Sequence, residues 1–304
     1  MKKNLKMSAA VLAAAMVMGA LTACGGSSST ATTAAATTAA SGDTTAASGD
    51  TTAAAATGDV SADVQKIIDA GVLKVGVKTD VPCFSLQNTA TGEYEGLEDD
   101  LSYEIAGKIF GCTPEEAKEK KLVAFQGVTA KTRGPLVENG ELDMVIATFT
   151  ITPDRKETYN FSTPYFTDAV GLLVLTDSGI NSIEDLDGKV IGVAQGSTSQ
   201  KGFEAYIADK GISVTPTFEE FDGYPALSAA LAAKNIDVFS VDRAILAGYR
   251  DDTNKLLDDR YAEQEYGVCT KKENTGLAEL VDGVIVGLKD SGKLDEMIKG
   301  WGIE

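Results

Sequence analysis

The 304-residue chain is predicted to carry an α/β fold built as two similar lobes, on three observations. From about Asp59 onward, short apolar runs alternate with amphipathic stretches, the pattern of strands feeding helices. Two segments echo each other: residues 136–147 (LVENGELDMVIA) and 231–241 (LAAKNIDVFSV) both read as helix end, tight turn, aspartate and buried strand. The length allows two compact units at about 150 residues apiece.

In chain order, Met1 to Lys6 give a basic start, and Met7 to Leu21 an apolar run too short to span a membrane as a stable helix. Together they read as an export signal. Residues 27–58 contain only Ala, Thr, Ser, Gly and Asp, so they have nothing to bury and cannot offset the entropy of ordering. Within them ASGDTTA occurs at 40–46 and again at 47–53, which is compositional bias and not a solenoid. The stretch reads as a tether with a root-mean-square reach of about 30 Å.

Beyond the tether, strands are expected at 73–77, 122–125, 144–147, 170–175, 190–194, 214–218, 238–241 and 266–270, each a short run with aliphatic or aromatic residues. Helices are expected between them, at 61–70, 98–110, 134–138, 198–210, 224–234, 243–249, 276–288 and 293–298. Gly140 and Gly211 follow apolar-periodic segments, where a left-handed terminator is wanted.

Composition removes several kinds of chemistry. Histidine is absent, which takes away the imidazole base, hydrolytic triads and the commonest zinc ligand. The four cysteines, Cys24, Cys83, Cys112 and Cys269, form no C-x-x-C pair, so no local zinc site or thioredoxin-like motif is available. No metal, cofactor or catalytic residue is expected. The formal charge is −18; without Lys2, Lys3 and Lys6 of a cleaved leader, 24 basic against 45 acidic side chains leave −21. Such a surface repels nucleic acid and anionic lipid.

In open α/β sheets ligands collect beyond the carboxyl ends of strands, so the strand-to-helix junctions are the places to search. At 147–155 (ATFTITPDR) a buried strand opens into hydroxyls including Thr148 and Thr150, then Thr152 as N-cap and Pro153 as first helical residue. Arg155 then stands in the positive first turn of a helix, where a cation is unfavourable unless an anion lies opposite. With the free N–H groups it makes a carboxylate cradle; the alternative is a surface arginine paired with Asp154 or Glu157. At 193–199 (VAQGSTS), Gly196 lets backbone approach a ligand, and Ser197 and Thr198 open a helix: either a cap or a second anion site. At 239–243 (FSVDR), Asp242 is either an N-cap or the acid that takes an ammonium. Arg133, in 130–135 (AKTRGP), is either a solvated basic turn or the clamp for a second carboxylate. Pocket arginines decide the ligand's sign, because screening over about 8 Å mutes distant acids. Cys83 and Phe84 are expected to line the cleft, and Cys112 and Cys269 to be small buried hydrophobes.

These segments carry a resemblance. KVGVKTDVP (74–82), GEYEG (92–96), Asp100-Leu101, residues 147–155, NFSTPY (160–165), GVAQGST (192–198) and Tyr266-Gly267 are similar to the polar amino-acid-binding lipoproteins of ABC importers, solute-binding protein family 3. The similarity covers essentially all of 59–304, and VTAKTRGPL (128–136) with FSVD (239–242) resembles the aspartate/glutamate-binding branch. Residues 21–26 (LTACGG) resemble a lipobox, which implies a lipid on Cys24.

The resemblance implies a periplasmic-binding-protein-like fold of type II with two crossover strands. Its divisions would be 1–23 as signal peptide, 24–58 as lipidated cysteine and tether, 59–170 plus 263–304 as lobe 1, and 171–262 as lobe 2. It also implies that Arg155 and the Thr198 amide hold a ligand α-carboxylate, that Asp242, the Thr148 carbonyl and the Thr150 hydroxyl take its ammonium, and that Arg133 reads a side-chain carboxylate. Tyr266 would add a hydroxyl. Cys83 and Lys299-Gly300-Trp301 depart from the family pattern.

The expected function is capture of a free acidic amino acid, glutamate or aspartate, by a monomer anchored on the outer face of the cytoplasmic membrane, and delivery to an ABC permease. One rival is an enzyme on the same fold, similar to cyclohexadienyl dehydratases, with Glu98 or Asp100 as cleft acid, though the sequence gives neither a raised pKa. The other is a surface adhesin or sensory ligand reader.

Overall fold

The computed structural model describes residues 60–303; the leader, Cys24 and the tether lie outside the described residues. Two main sheets organise the rest. In the first, the strands run in the order Val123–Gly127, Leu73–Val77, Met144–Val145, Cys269–Lys271, Tyr159–Phe161. In the second the order is Thr217–Phe221, Val190–Ala194, Val238–Asp242, Phe166–Leu175, Asn254–Leu256. A small sheet of Asp80–Val81, Ser85–Gln87 and Tyr94–Glu95 flanks the first.

Two strands join these halves. Phe166–Leu175 leaves the first sheet's side and runs through the second sheet, and Tyr261–Tyr266 returns antiparallel beside it, pairing Tyr266 with Phe166 and Gln264 with Asp168. The fold is therefore a two-lobed α/β architecture with two crossovers. We assign 60–170 and 263–303 to the first lobe and 171–262 to the second, with both boundaries inside the crossover strands. Among the described residues no helix is long and apolar enough to cross a membrane.

The internal echo has a structural basis. Asp143 Oδ2 accepts the N–H of Lys74 at 2.8 Å, and Asp237 Oδ2 accepts that of Val190 at 2.9 Å. Each aspartate thus fixes the start of the neighbouring parallel strand in its own lobe, and each backbone N–H bonds the same residue's carbonyl in return. Gly140 and Gly211 both adopt positive φ, 76° and 64°, as helix termination there requires.

Some boundaries differ from expectation. The strand expected at 214–218 is Thr217–Phe221, because Pro216 has no N–H to give and pairing begins when the Thr217 N–H bonds the Lys189 carbonyl at 2.8 Å. The single strand expected at 266–270 is two: Tyr266 ends a crossover, and Cys269–Lys271 pairs inside the first sheet. A helix at Pro114–Glu119, absent from the expectations, is set by a capping box between Thr113 and Glu116.

Candidate functional site

The junction after Met144–Val145 turns on Thr148, whose φ is 45°, a left-handed value unusual for a β-branched residue. Glu98 holds it there. Its Oε1 accepts the Thr148 N–H at 2.6 Å and the Tyr165 hydroxyl at 2.5 Å. Burial pushes the Glu98 carboxyl up to about 7, against those hydrogen bonds and the Arg133 charge, which lower it. That corrects the expectation that nothing raises it. Asp100, the other candidate acid, accepts the Trp301 indole N–H at 2.8 Å.

Thr152 is the N-cap expected: its hydroxyl accepts the Arg155 N–H at 3.2 Å, and Pro153 opens the helix Pro153–Thr158. The Arg155 side chain turns back toward the junction. Nη1 donates to the Thr150 carbonyl at 2.6 Å and Nη2 crosses to the Gly196 carbonyl of the second lobe at 3.0 Å. Asp154 lies 3.9 Å from Lys201 instead, so the surface-pair alternative does not hold.

Arg133 opens the helix Arg133–Glu138 and is 3% exposed, which rules out the solvated basic turn. Its Nη1 donates to the carbonyls of Ala147 at 2.6 Å and Thr148 at 3.0 Å, while Nε is buried without a partner. The Thr148 carbonyl, assigned by resemblance to a ligand ammonium, thus already accepts one bond. Both arginines lie against one ring: the guanidinium carbons of Arg133 and Arg155 are 4.2 and 4.6 Å from the Phe149 centroid. Among the described residues neither has a carboxylate within 4.0 Å. Burial first, then the Arg133 charge, bring Arg155 down to about 9.

From the second lobe, Asp242 ends the strand Val238–Asp242 without capping the helix after it. Asp168 does that, accepting the Ala244 N–H at 2.8 Å, and Asp242 accepts the Tyr266 hydroxyl instead. Burial pushes Asp242 up to about 7, opposed by Tyr266 and by the two arginines. Ser197 Oγ accepts the Ser199 N–H at 3.4 Å, while the Thr198 hydroxyl donates to Gln264 at 2.7 Å. The Thr150 hydroxyl donates to the same Gln264 oxygen at 2.6 Å. Arg133, Thr148, Thr150, Arg155, Asp242 and Tyr266 are therefore joined through direct contacts or mutual charge, and Thr198 joins them through Gln264.

Phe84 and Cys83 line one crevice together, and Phe84 also meets the site through Tyr266. Phe84 is buried with its ring edge-on to Phe166 and Tyr266, bracing the crossovers. Cys83, exposed and at φ 68°, lines with Arg243 and Arg260 a crevice of about 590 Å³. Cys269 is buried as expected, Cys112 only half so.

Sequence reasoning missed Lys78. It follows the buried strand Leu73–Val77, is 1% exposed, and sets its Nζ 3.1 Å from Asp80 and 4.4 Å from the centroid of Tyr224 in the other lobe. The strand-end rule that found Thr148 and Asp242 applies to Lys78 as well. Phe149, Tyr224 and Gln264 had no comparable signal, since their contacts come from distant segments.

Two lobes on two crossovers, closing over paired guanidiniums and a buried acid, define a binding protein for a small zwitterion. The chain belongs to the bacterial extracellular solute-binding proteins, family 3, whose sequence profile matches residues 73–304. It is 32% identical over 254 residues to the ABC transporter glutamine-binding protein GlnH of Bacillus subtilis, covering 81% of this chain and 88% of that one. It is 28% identical over 230 residues to the glutamate-binding protein GluB of Corynebacterium efficiens, covering 72% and 74%. Among solved structures it is similar to the P235GK mutant of ArgBP from T. maritima, with a TM-score of 0.67, 26% identity, and 80% and 100% of the two chains covered. It is a solute-binding protein of amino-acid ABC transport, and its family and relatives are substrate-binding proteins.

Proposed function

We propose that this protein captures an acidic amino acid, glutamate or aspartate, between its lobes and delivers it to a membrane permease. The observation that carries the reading is the pair of guanidiniums on the Phe149 ring with no carboxylate of the described residues within 4.0 Å of either. Two like charges held in a poorly hydrated place repel, and a ligand with two carboxylates relieves both at once. In this reading Arg155 and the Thr198 N–H take the α-carboxylate and Arg133 the side-chain carboxylate. Asp242, with the Thr148 carbonyl and the Thr150 hydroxyl, takes the ammonium, and Tyr266 orients Asp242. Lys78 adds positive charge on the Arg133 side: burial first, and the Arg133 charge after it, lower the affinity of Lys78 for its proton, against Asp80, which raises it.

The closed form docks on the permease and opens there. A lipid on Cys24 and the tether of 27–58 would keep the protein, a monomer, at the outer face of the membrane. We assign it no catalysis: Glu98 is committed to Thr148 and Tyr165, and turnover of prephenate or arogenate would overturn that assignment. Glutamine is the second reading, favoured by the B. subtilis relative.

A thermal-shift screen of the twenty L-amino acids tests the proposal. Glutamate or aspartate is expected to raise the unfolding temperature most. Glutamine in first place would favour the second reading, and no shift with any of the three would overturn both.

A further inference from the structure

Gln264 lies in the crossover strand Tyr261–Tyr266 and is 2% exposed. Its amide orientation is fixed by its own partners. Nε2 donates to the Ala262 carbonyl at 2.7 Å, so Oε1 faces the cleft. A carbonyl oxygen has two lone pairs, and both are used: Thr150 Oγ1 donates at 2.6 Å and Thr198 Oγ1 at 2.7 Å. Flipping the amide would set Oε1 against the Ala262 carbonyl, two acceptors facing each other.

The two hydroxyls come from opposite sides of the pivot. Thr150 is tied to the crossover on its first-lobe side, through a bridge to Tyr266 and the Ile151 N–H to the Glu265 carbonyl at 2.8 Å. Thr198 precedes the helix Ser199–Lys210, which packs on the second-lobe side: a Cβ at Gly202 would come within 2.6 Å of Ala262 Cβ. Between these anchors the strand is irregular, with a register shift between Tyr261 and Glu263 and Ala262 at φ 49°. A change of angle between the lobes moves the anchors apart, and both bonds to one oxygen cannot then be kept.

We propose that Gln264 is a positioning residue that clasps the two lobes through a single oxygen and sets the proton direction of the threonine hydroxyls in the ligand site. A hydroxyl has one proton. With that proton given to Gln264, Thr150 and Thr198 turn only lone pairs toward the ligand. They then favour an ammonium and repel a carboxylate, which leaves the α-carboxylate to N–H groups and guanidiniums. The clasp also slows ligand escape, because release requires opening.

The test is stopped-flow release of whichever of L-glutamate and L-glutamine the wild type binds more tightly, so that it does not depend on the acidic reading. Thr198→Val keeps the shape and the backbone N–H but removes the donor, and is expected to release ligand about tenfold faster, with association little changed. Thr198→Ser is expected to release like wild type. Gln264→Met is expected to match Thr198→Val, and the double variant to be no faster than either single one. Wild-type release by Thr198→Val, failure of Thr198→Ser to restore it, or effects that multiply in the double variant would each overturn the proposal. The Thr198 pair decides the matter even if Gln264→Met does not fold.

Discussion

Arg133 and Arg155 share the Phe149 ring while each gives its Nη1 proton to a backbone carbonyl of the same junction, Ala147 for one and Thr150 for the other. Carbonyls satisfy donors without neutralising charge. The pair therefore stays cationic inside the fold, and the aromatic face is the nearest compensation. Phe149→Leu keeps most of the apolar volume and removes that face. Ligand affinity is expected to fall about tenfold by calorimetry, from two contacts worth roughly 0.5–1 kcal/mol each.

Asp242 and Glu98, each pushed up to about 7, give the protein a definite pH response. Their native values lie above the ordinary carboxyl range near 4, so between about pH 4 and 7 the folded state binds more protons than the unfolded one. Their contribution to stability is full below about pH 4 and is lost as pH rises through about 7. Ligand-free protein should thus unfold at a higher temperature at pH 6 than at pH 8 as far as these groups decide it.

Ligand binding should run the other way. An ammonium beside Asp242 favours the carboxylate, so binding near pH 6.5 is expected to release a proton and affinity to fall as pH drops below 7. Calorimetry in buffers of different ionisation enthalpy reads the proton directly. Proton uptake would contradict the role given to Asp242.

Glu98→Ala would leave the Thr148 N–H and the Tyr165 hydroxyl, both buried, without their acceptor. At roughly 1–3 kcal/mol for each stranded group, the variant should lose several degrees in unfolding temperature. Glu98→Gln retains an acceptor and should lose much less.

Gly196 adopts φ 75°, and a Cβ there would stand 3.0 Å from the Ala130 carbonyl oxygen and the Lys131 Cα of the facing lobe. Gly196→Ala is expected to weaken ligand binding by more than its cost of about 1 kcal/mol to stability, since the clash exists only where the lobes meet. Calorimetry and thermal unfolding together separate the two effects.

The strands Leu73–Val77 and Val190–Ala194 were legible at their observed bounds, because each is a short run dominated by buried aliphatic residues. Arg155 was legible as a candidate because a cation in the first turn of a helix is out of keeping with the dipole, and Asp242 because it stands at the carboxyl end of a buried strand. The Asp242 alternatives were not separable from sequence, since the residue that caps the next helix is Asp168, 76 positions from Ala244. Phe149 and Gln264 drew no reading of their own, and Gln264 lay outside every expected strand, whereas it sits in Tyr261–Tyr266. Their work depends on which distant side chains meet them, and no local periodicity carries that. The Thr113-Pro114 helix start was readable and overlooked.

The most direct measurement is calorimetric titration of Arg133→Leu with L-glutamate beside wild type, with the fold of the variant checked by circular dichroism. Removing the guanidinium strands a ligand carboxylate, and affinity is expected to fall by about 2–5 kcal/mol, some 30-fold to several thousand-fold. Glutamate bound by Arg133→Leu as tightly as by wild type would contradict the account.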